Sequence, residues 1–133
     1  MAKTITIASV IDVVGALATD SLMGQVYFTD TEKASGARGH WTENLKTIVS
    51  VGDELVWTVV PLECEAYAAI DAIIIDREYC EPEKIFYEGT DVSYWTGKVK
   101  KNVVQYIPYT IKFLVGTRAD SIPTSFPLFL MGR

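Results

Sequence analysis

Histidine is almost missing from this chain of 133 residues, His40 being its only one. That scarcity excludes a multi-histidine zinc site, which draws on several His or Cys ligands. Cysteine is nearly as sparse: Cys64 and Cys80 are the only two, and no CxxC occurs. Such spacing rules out a zinc knuckle or a disulfide scaffold and predicts reduced thiols, with a bond between the two left open only if neighbouring strands carry them. Signatures of nucleotide, metal and acyl-transfer enzymes are absent as well: no Walker loop, GxGxxG, HExxH, Gly-x-Ser-x-Gly elbow or EF-hand loop can be found. No cofactor is implied, and the balance is against an enzyme. Long apolar runs are also lacking, so no segment approaches the roughly 20 residues of a membrane-spanning helix. The early stretch "ITIASVIDVVGALATDS" resembles a signal peptide in outline, but Asp12 interrupts it and "TITIASV" alternates as a strand does.

The chain has an ordinary globular make-up, with 49% apolar and 22% charged residues, and one domain over residues 1–133 accounts for its length. Its net charge of −5 opposes binding to nucleic acid over a broad face. The one concentrated basic stretch is Lys98, Lys100 and Lys101. These lysines read as the solvated lead-in to a strand rather than as an anion grip. Acidic residues gather at 30–32, 63–65 and 76–83, and they too read as solvated surface.

Periodicity of two recurs along the chain, whereas a period of 3.6 does not. Ile5 and Ile7 alternate with Thr4 and Thr6; "GQVYFTD" follows as a second strand. "NLKTIVSVGDELVWTVVPL" contains two strands joined at Gly52-Asp53, and Pro61 ends the second of them. "YAAIDAIIID", "KIFYEG" and "VSYWTG" are further strands, and a short last one lies in "LFLM". In the stretch from 103 to 115, the parity of Ile107, Tyr109, Ile111, Phe113 and Val115 marks a core face, and Pro108 predicts an edge position or a bulge. Helix is confined to a turn or two within residues 12 to 23, or to "CEPEK" with Pro82 at a first helical position. The expected architecture is all-β: a single-domain antiparallel β-sandwich, jelly-roll or immunoglobulin-like, of eight or nine strands.

Candidate site residues are few. His40 precedes Trp41 at a loop-to-strand junction, and nothing in the sequence places either cysteine beside it. Trp41, Tyr94 and Trp95 fall near strand ends, where an aromatic face can stack on a sugar ring. His40, Trp41, Tyr94 and Trp95 are therefore the candidate residues for a small molecule or carbohydrate, with calcium held by loop carboxylates as an accessory in a lectin-like reading. Trp57, between Leu55 and Val59, belongs to the core.

Taken in order, "ITIASVID", "QVYFTD", "ENLKTIVSVGDELVW" and "GKVKKNVVQYIPYTIKFLV" resemble the PixA/AidA inclusion-body protein family of bacteria. The resemblance implies a single all-β domain, abundant late in growth, cytoplasmic, and in some members packed into crystalline inclusions. It carries over no catalytic residue; Asp12, Gly52, Asp53 and residues 98 to 115 match the recurrent pattern and are read structurally. The expectation is a self-associating, homo-oligomeric, cytoplasmic protein without a membrane or nucleic-acid partner.

Overall fold

The computed structural model describes residues 3–31, 43, 45–63, 65–86, 88–90 and 93–132. Ten strands and one short helix follow each other along them: β1 (Thr4–Ile11), α1 (Val13–Thr19), β2 (Val26–Asp30), β3 (Lys46–Val49), β4 (Glu54–Pro61), β5 (Ala68–Ile74), β6 (Glu83–Phe86), β7 (Ser93–Lys98), β8 (Ile107–Val115), β9 (Ile122–Pro123) and β10 (Leu128–Gly132). The tenth strand, beyond the expected eight or nine, is the two-residue β9. "CEPEK" forms no helix; β6 begins at Glu83.

The first sheet has the order β2-β1-β4-β7-β6, and the second β3-β10-β8-β5 with β9 beside β8. Both sheets are mixed, which corrects the antiparallel expectation: β1 pairs with β4 in parallel, and so does β10 with β3. Parallel neighbours need a crossover. Here the chain leaves the first sheet after β2, runs through β3 in the second, and returns as β4. The two strands around Gly52-Asp53 are consequently not a hairpin, because β3 and β4 lie in different sheets. Alternation specifies which side of a strand is buried, and turn residues specify a reversal; neither specifies the sheet to which the next strand docks.

Alternation is realised in β1, β2, β3, β8 and the first half of β4. Ile5, Ile7 and Ile11 of β1, Val26 and Phe28 of β2, and Leu55 and Trp57 of β4 are buried, facing the fully buried row from Tyr109 to Val115 on β8. Phe28 meets Phe113 at 6.3 Å between ring centroids, and Trp57 meets Tyr109 edge-on at 6.0 Å. The Trp57 indole N–H points to the Tyr109 hydroxyl at 3.4 Å, satisfying the polar handle of a fully buried ring. Burial raises the Tyr109 hydroxyl well above its usual pKa, so it stays a neutral partner. β8 is an interior strand, not an edge: β5 lies on one side and β9 and β10 on the other. Pro108 is accommodated because it sits before the stretch paired with β5, which begins at Thr110, and faces only β10.

Carboxylates hold the seams where the chain passes between sheets. Asp53 is fully buried; its two oxygens accept from the backbone N–H groups of Lys3 at 3.1 Å and Ser50 at 2.9 Å. Gly52, at φ 91°, lets the turn reach the Val99 carbonyl through its own N–H. Asp30, at the end of β2, accepts from the Thr47 hydroxyl of β3 at 2.7 Å, joining the two sheets through a buried pair. At the helix, Asp12 is the N-cap and accepts from Gly15 N–H at 2.9 Å, as the reading of residues 12 to 23 as a helical turn requires. Glu63 accepts from Val13 and Val14 N–H groups, so two carboxylates serve three of the helix's unpaired donors. An ion pair from Arg118 to Asp20 fastens the far end of α1 to the turn after β8.

Two consequences follow for stability. Replacing Asp53 by Ala removes the buried acceptor of both N–H groups; because Lys3 is exposed and Ser50 half-buried, and water can reach them, the loss is expected at about 1–3 kcal/mol. Urea unfolding with an unchanged m-value reads it, and a loss below 1 kcal/mol would show the seam to be dispensable. The Asp12 carboxyl is held below the usual carboxylate range, first by the Gly15 N–H and then by Glu63. Its contribution is present above the unfolded-state value and disappears as pH falls through the lowered folded-state value. Asp12→Asn is expected to flatten the acid limb of a melting-temperature profile taken from pH 5 to pH 2; an unchanged slope would remove Asp12 from that linkage.

Candidate functional site

Among the described residues, two surface depressions stand out. The first is an acidic groove of about 250 Å³ lined by Glu54, Glu81, Glu83, Thr96, Gly97 and Lys98. It exists because β4, β7 and β6 bring outward positions into line: Glu54 stands opposite Lys98, and Thr96 between Val56 and Glu83. The Thr96 hydroxyl donates to Glu54 at 3.2 Å. Beneath the groove, Gly97 leaves space for Cys80, whose Sγ would lie 2.6 Å from a Cβ at that position. Cys80 is free and fully buried, and burial pushes its thiol up to about 11, far from the thiolate needed of a nucleophile. The second depression, about 270 Å³, is apolar in character and lined by Val103, Val104, Gln105, Tyr106, Met131 and Gly132. The backbone there is close-packed, since a Cβ on Gly132 would fall 1.7 Å from the Val103 carbonyl oxygen.

The lysine stretch and the acidic run at 76–83, read separately as solvated surface, turn out to face each other. Lys100 donates to the Arg77 carbonyl at 2.8 Å and lies 3.6 Å from Glu81. Lys101 meets Glu78 at 3.2 Å and lies over the Tyr79 ring at 5.1 Å. The hydrogen bond to Glu78 and its charge raise the Lys101 pKa. Exposed pairs of this kind add little stability. Their effect is to neutralise the one basic cluster from within, which leaves it poorly suited to gripping an external anion.

Of the candidate residues, His40 and Trp41 lie outside the described residues, as does Cys64. Tyr94 and Trp95 are consecutive on β7 and so point to opposite faces of the first sheet. Trp95 turns inward, packs against the core, and donates its indole N–H to the Ile70 carbonyl at 3.1 Å, next to the bulge between Ile70 and Ala72 in β5. Tyr94 is half-buried on the outward side, opposite Ile85. Neither residue lines either depression. Among the described residues, no three His, Cys, Asp or Glu side chains converge on a metal position. The acidic groove was missed in the sequence because its glutamates come from β4, β6 and the segment before β6; only their outward parity hinted at a shared face.

These features define a two-sheet β protein whose buried carboxylates among the described residues, Asp30 and Asp53, hold the seams between the sheets. The chain belongs to the family described as Domain of unknown function (DUF8788), whose model matches residues 3–120. Among solved structures it is similar to the inclusion body protein PixA from Burkholderia cenocepacia J2315, with a TM-score of 0.75 over 100% of this chain and 97% of that one. At 14% identity, that likeness is one of fold. No curated protein matches the chain by sequence. No described helix is long and apolar enough to cross a membrane.

The close packing under the groove is testable. Gly97→Ala drives a methyl into Cys80 and is expected to destabilise by about 1–3 kcal/mol, the usual cost of overpacking. Adding Cys80→Ala removes the obstructing sulfur, so the double variant should lose less than the two single losses added together. Strict additivity in thermal or urea unfolding would show that the two do not touch.

Proposed function

We propose that this chain is a non-enzymatic, PixA-like protein of the bacterial cytoplasm that acts by associating with copies of itself. The observation that carries the reading is the number of large apolar side chains left on the surface of a fold shared with an inclusion body protein: Val104 is 87% exposed, and Leu62, Tyr106, Phe86, Ile74 and Val60 are all more than half exposed. Scattered apolar residues are normal on a monomer, but Val60, Ile74 and Phe86 lie on strands and Leu62 and Tyr106 directly beside strand ends, with Val104 in the segment that leads into β8. The chemistry agrees. The buried carboxylates Asp30 and Asp53 are engaged in structural hydrogen bonds, and Cys80 is held as a neutral thiol.

Sedimentation velocity over a hundredfold range of protein concentration tests the reading. The expected result is a weight-average sedimentation coefficient that rises with concentration. A single monomeric boundary throughout would overturn it.

A further inference from the structure

At the end of the molecule where α1 packs Val13 and Ala16 into the core, exposed apolar side chains follow one another in a continuous band. The ladder sets Tyr27, Val10 and Val60 side by side in an outward row across β2, β1 and β4. Leu62 follows Val60 at the same parity, its N–H bonded to the Ile11 carbonyl. Next to it, Glu63 takes the Val14 N–H and so brings the first turn of α1 against this corner of the sheet. Val14 and Leu17, three residues apart, are neighbours on the helix surface. Leu17 reaches Gly116, whose N–H is bonded to the Tyr67 carbonyl, and the band thereby passes over α1 to the start of β5. At its other end the Tyr27 hydroxyl lies on the Gly24 carbonyl, beside Met23. Val10 is half-buried; the other seven side chains are 40–62% exposed. The carboxylates of Asp12 and Glu63 are turned onto helix N–H groups, Asp20 is paired with Arg118 at the rim, and Glu65 is the exposed charge of the β4–β5 connection. Thr31, from which residues 32–42 continue, is bonded to Thr6 toward the far end of β1.

We infer that two copies of the chain associate through this band, the same patch on each meeting about a two-fold axis. The inference rests on the self-association proposed above and assigns its surface. Area points to a second copy as the occupant. Seven large side chains about half exposed, at roughly 100 Å² each, offer roughly 700 Å². The largest apolar patch on a monomer is typically about 300–600 Å². A standard interface takes about 800 Å² from each partner, with a spread of about 200 Å². The band therefore exceeds what a solitary molecule ordinarily leaves bare and falls within what a stable dimer covers. Its middle row is uncharged, so laying the band against itself brings no like charges together there. A lipid surface suits it less: Arg118, the cation at its rim, is tied to Asp20, and a chain of net charge −5 is repelled by anionic headgroups. A patch that meets its own copy closes at two chains.

Val60→Arg and Leu62→Arg each put a charge into the band at an exposed site. Val104→Arg does the same outside it, in the segment before β8, at the other end of that strand from Gly116. Circular dichroism with a thermal melt establishes that each variant is folded. In sedimentation velocity, the unaltered chain is expected to reach the mass of a dimer and go no further as its concentration rises. Each band variant is expected to raise the dimer dissociation constant by about tenfold or more, while Val104→Arg leaves it unchanged. If the unaltered chain dimerises and the band variants dimerise equally well, the surface is wrong while self-association stands. An equal loss in all three variants, or species larger than a dimer in the unaltered chain, overturns the two-fold contact in the same way. An unaltered chain that stays monomeric overturns both readings. If that monomer also floats with phosphatidylcholine vesicles and Val60→Arg does not, the band belongs to a lipid surface instead.

Discussion

The structure depends on keeping β1 and β4 side by side and parallel in the middle of one sheet while the connection between them visits the other. Parallel neighbours are joined in most α/β proteins by a helix lying on the sheet. Here a strand does the same work, and carboxylates stand at the passages between sheets: Asp53 takes backbone N–H groups at the β3–β4 turn, Asp30 takes the Thr47 hydroxyl between β2 and β3, and Glu63 reaches from beyond β4 to the backbone at the start of α1. A buried carboxylate is costly unless it is fully hydrogen-bonded. Each of these is anchored by donors fixed in place by the strands around it, so the seams and the sheets specify each other.

Much of this was legible in the residues, and the parts that were not share a cause. The inward row from Ile107 to Val115, the burial of Trp57, the short helix within residues 12 to 23 and the end of β4 at Pro61 all follow from local rules: parity, side-chain size, the break in strand alternation and the missing N–H of proline. The assignment of β3 and β4 to different sheets did not follow, because Val-Gly-Asp encodes a reversal and nothing about the partner strand. Asp53 matched a recurrent pattern, but its burial was invisible, since a lone aspartate after glycine is ordinary turn chemistry. Pro108 misled for a related reason. Its missing donor excludes it only where a neighbour needs that donor, and the point at which β5 begins to pair with β8 is a tertiary fact.

The candidate site shows the same division between local and tertiary information. Consecutive aromatics at 94 and 95 predict that one faces in and one out, and that is their arrangement; which one turns inward is decided by the Ile70 carbonyl across the core. The acidic run at 76–83 and the lysines at 98–101 were each visible as surface charge, yet their mutual pairing arises because residues 76–81 are folded back against the end of β7. Backbone bonds from Lys100 to Tyr79 and from Val99 to Asp53 fix that return. The acidic groove shares Glu81 with those pairs and adds Glu54 and Glu83 beside Lys98.

Three of the four edge strands, β3, β5 and β6, carry features that oppose the addition of a further strand. An exposed edge strand invites pairing with another chain through unsatisfied backbone groups. β3 and β6 are only four residues long, Pro82 precedes β6, and β5 is interrupted by the bulge that displays Asp71. Each of these discourages ladder extension of the kind that leads to irregular aggregation.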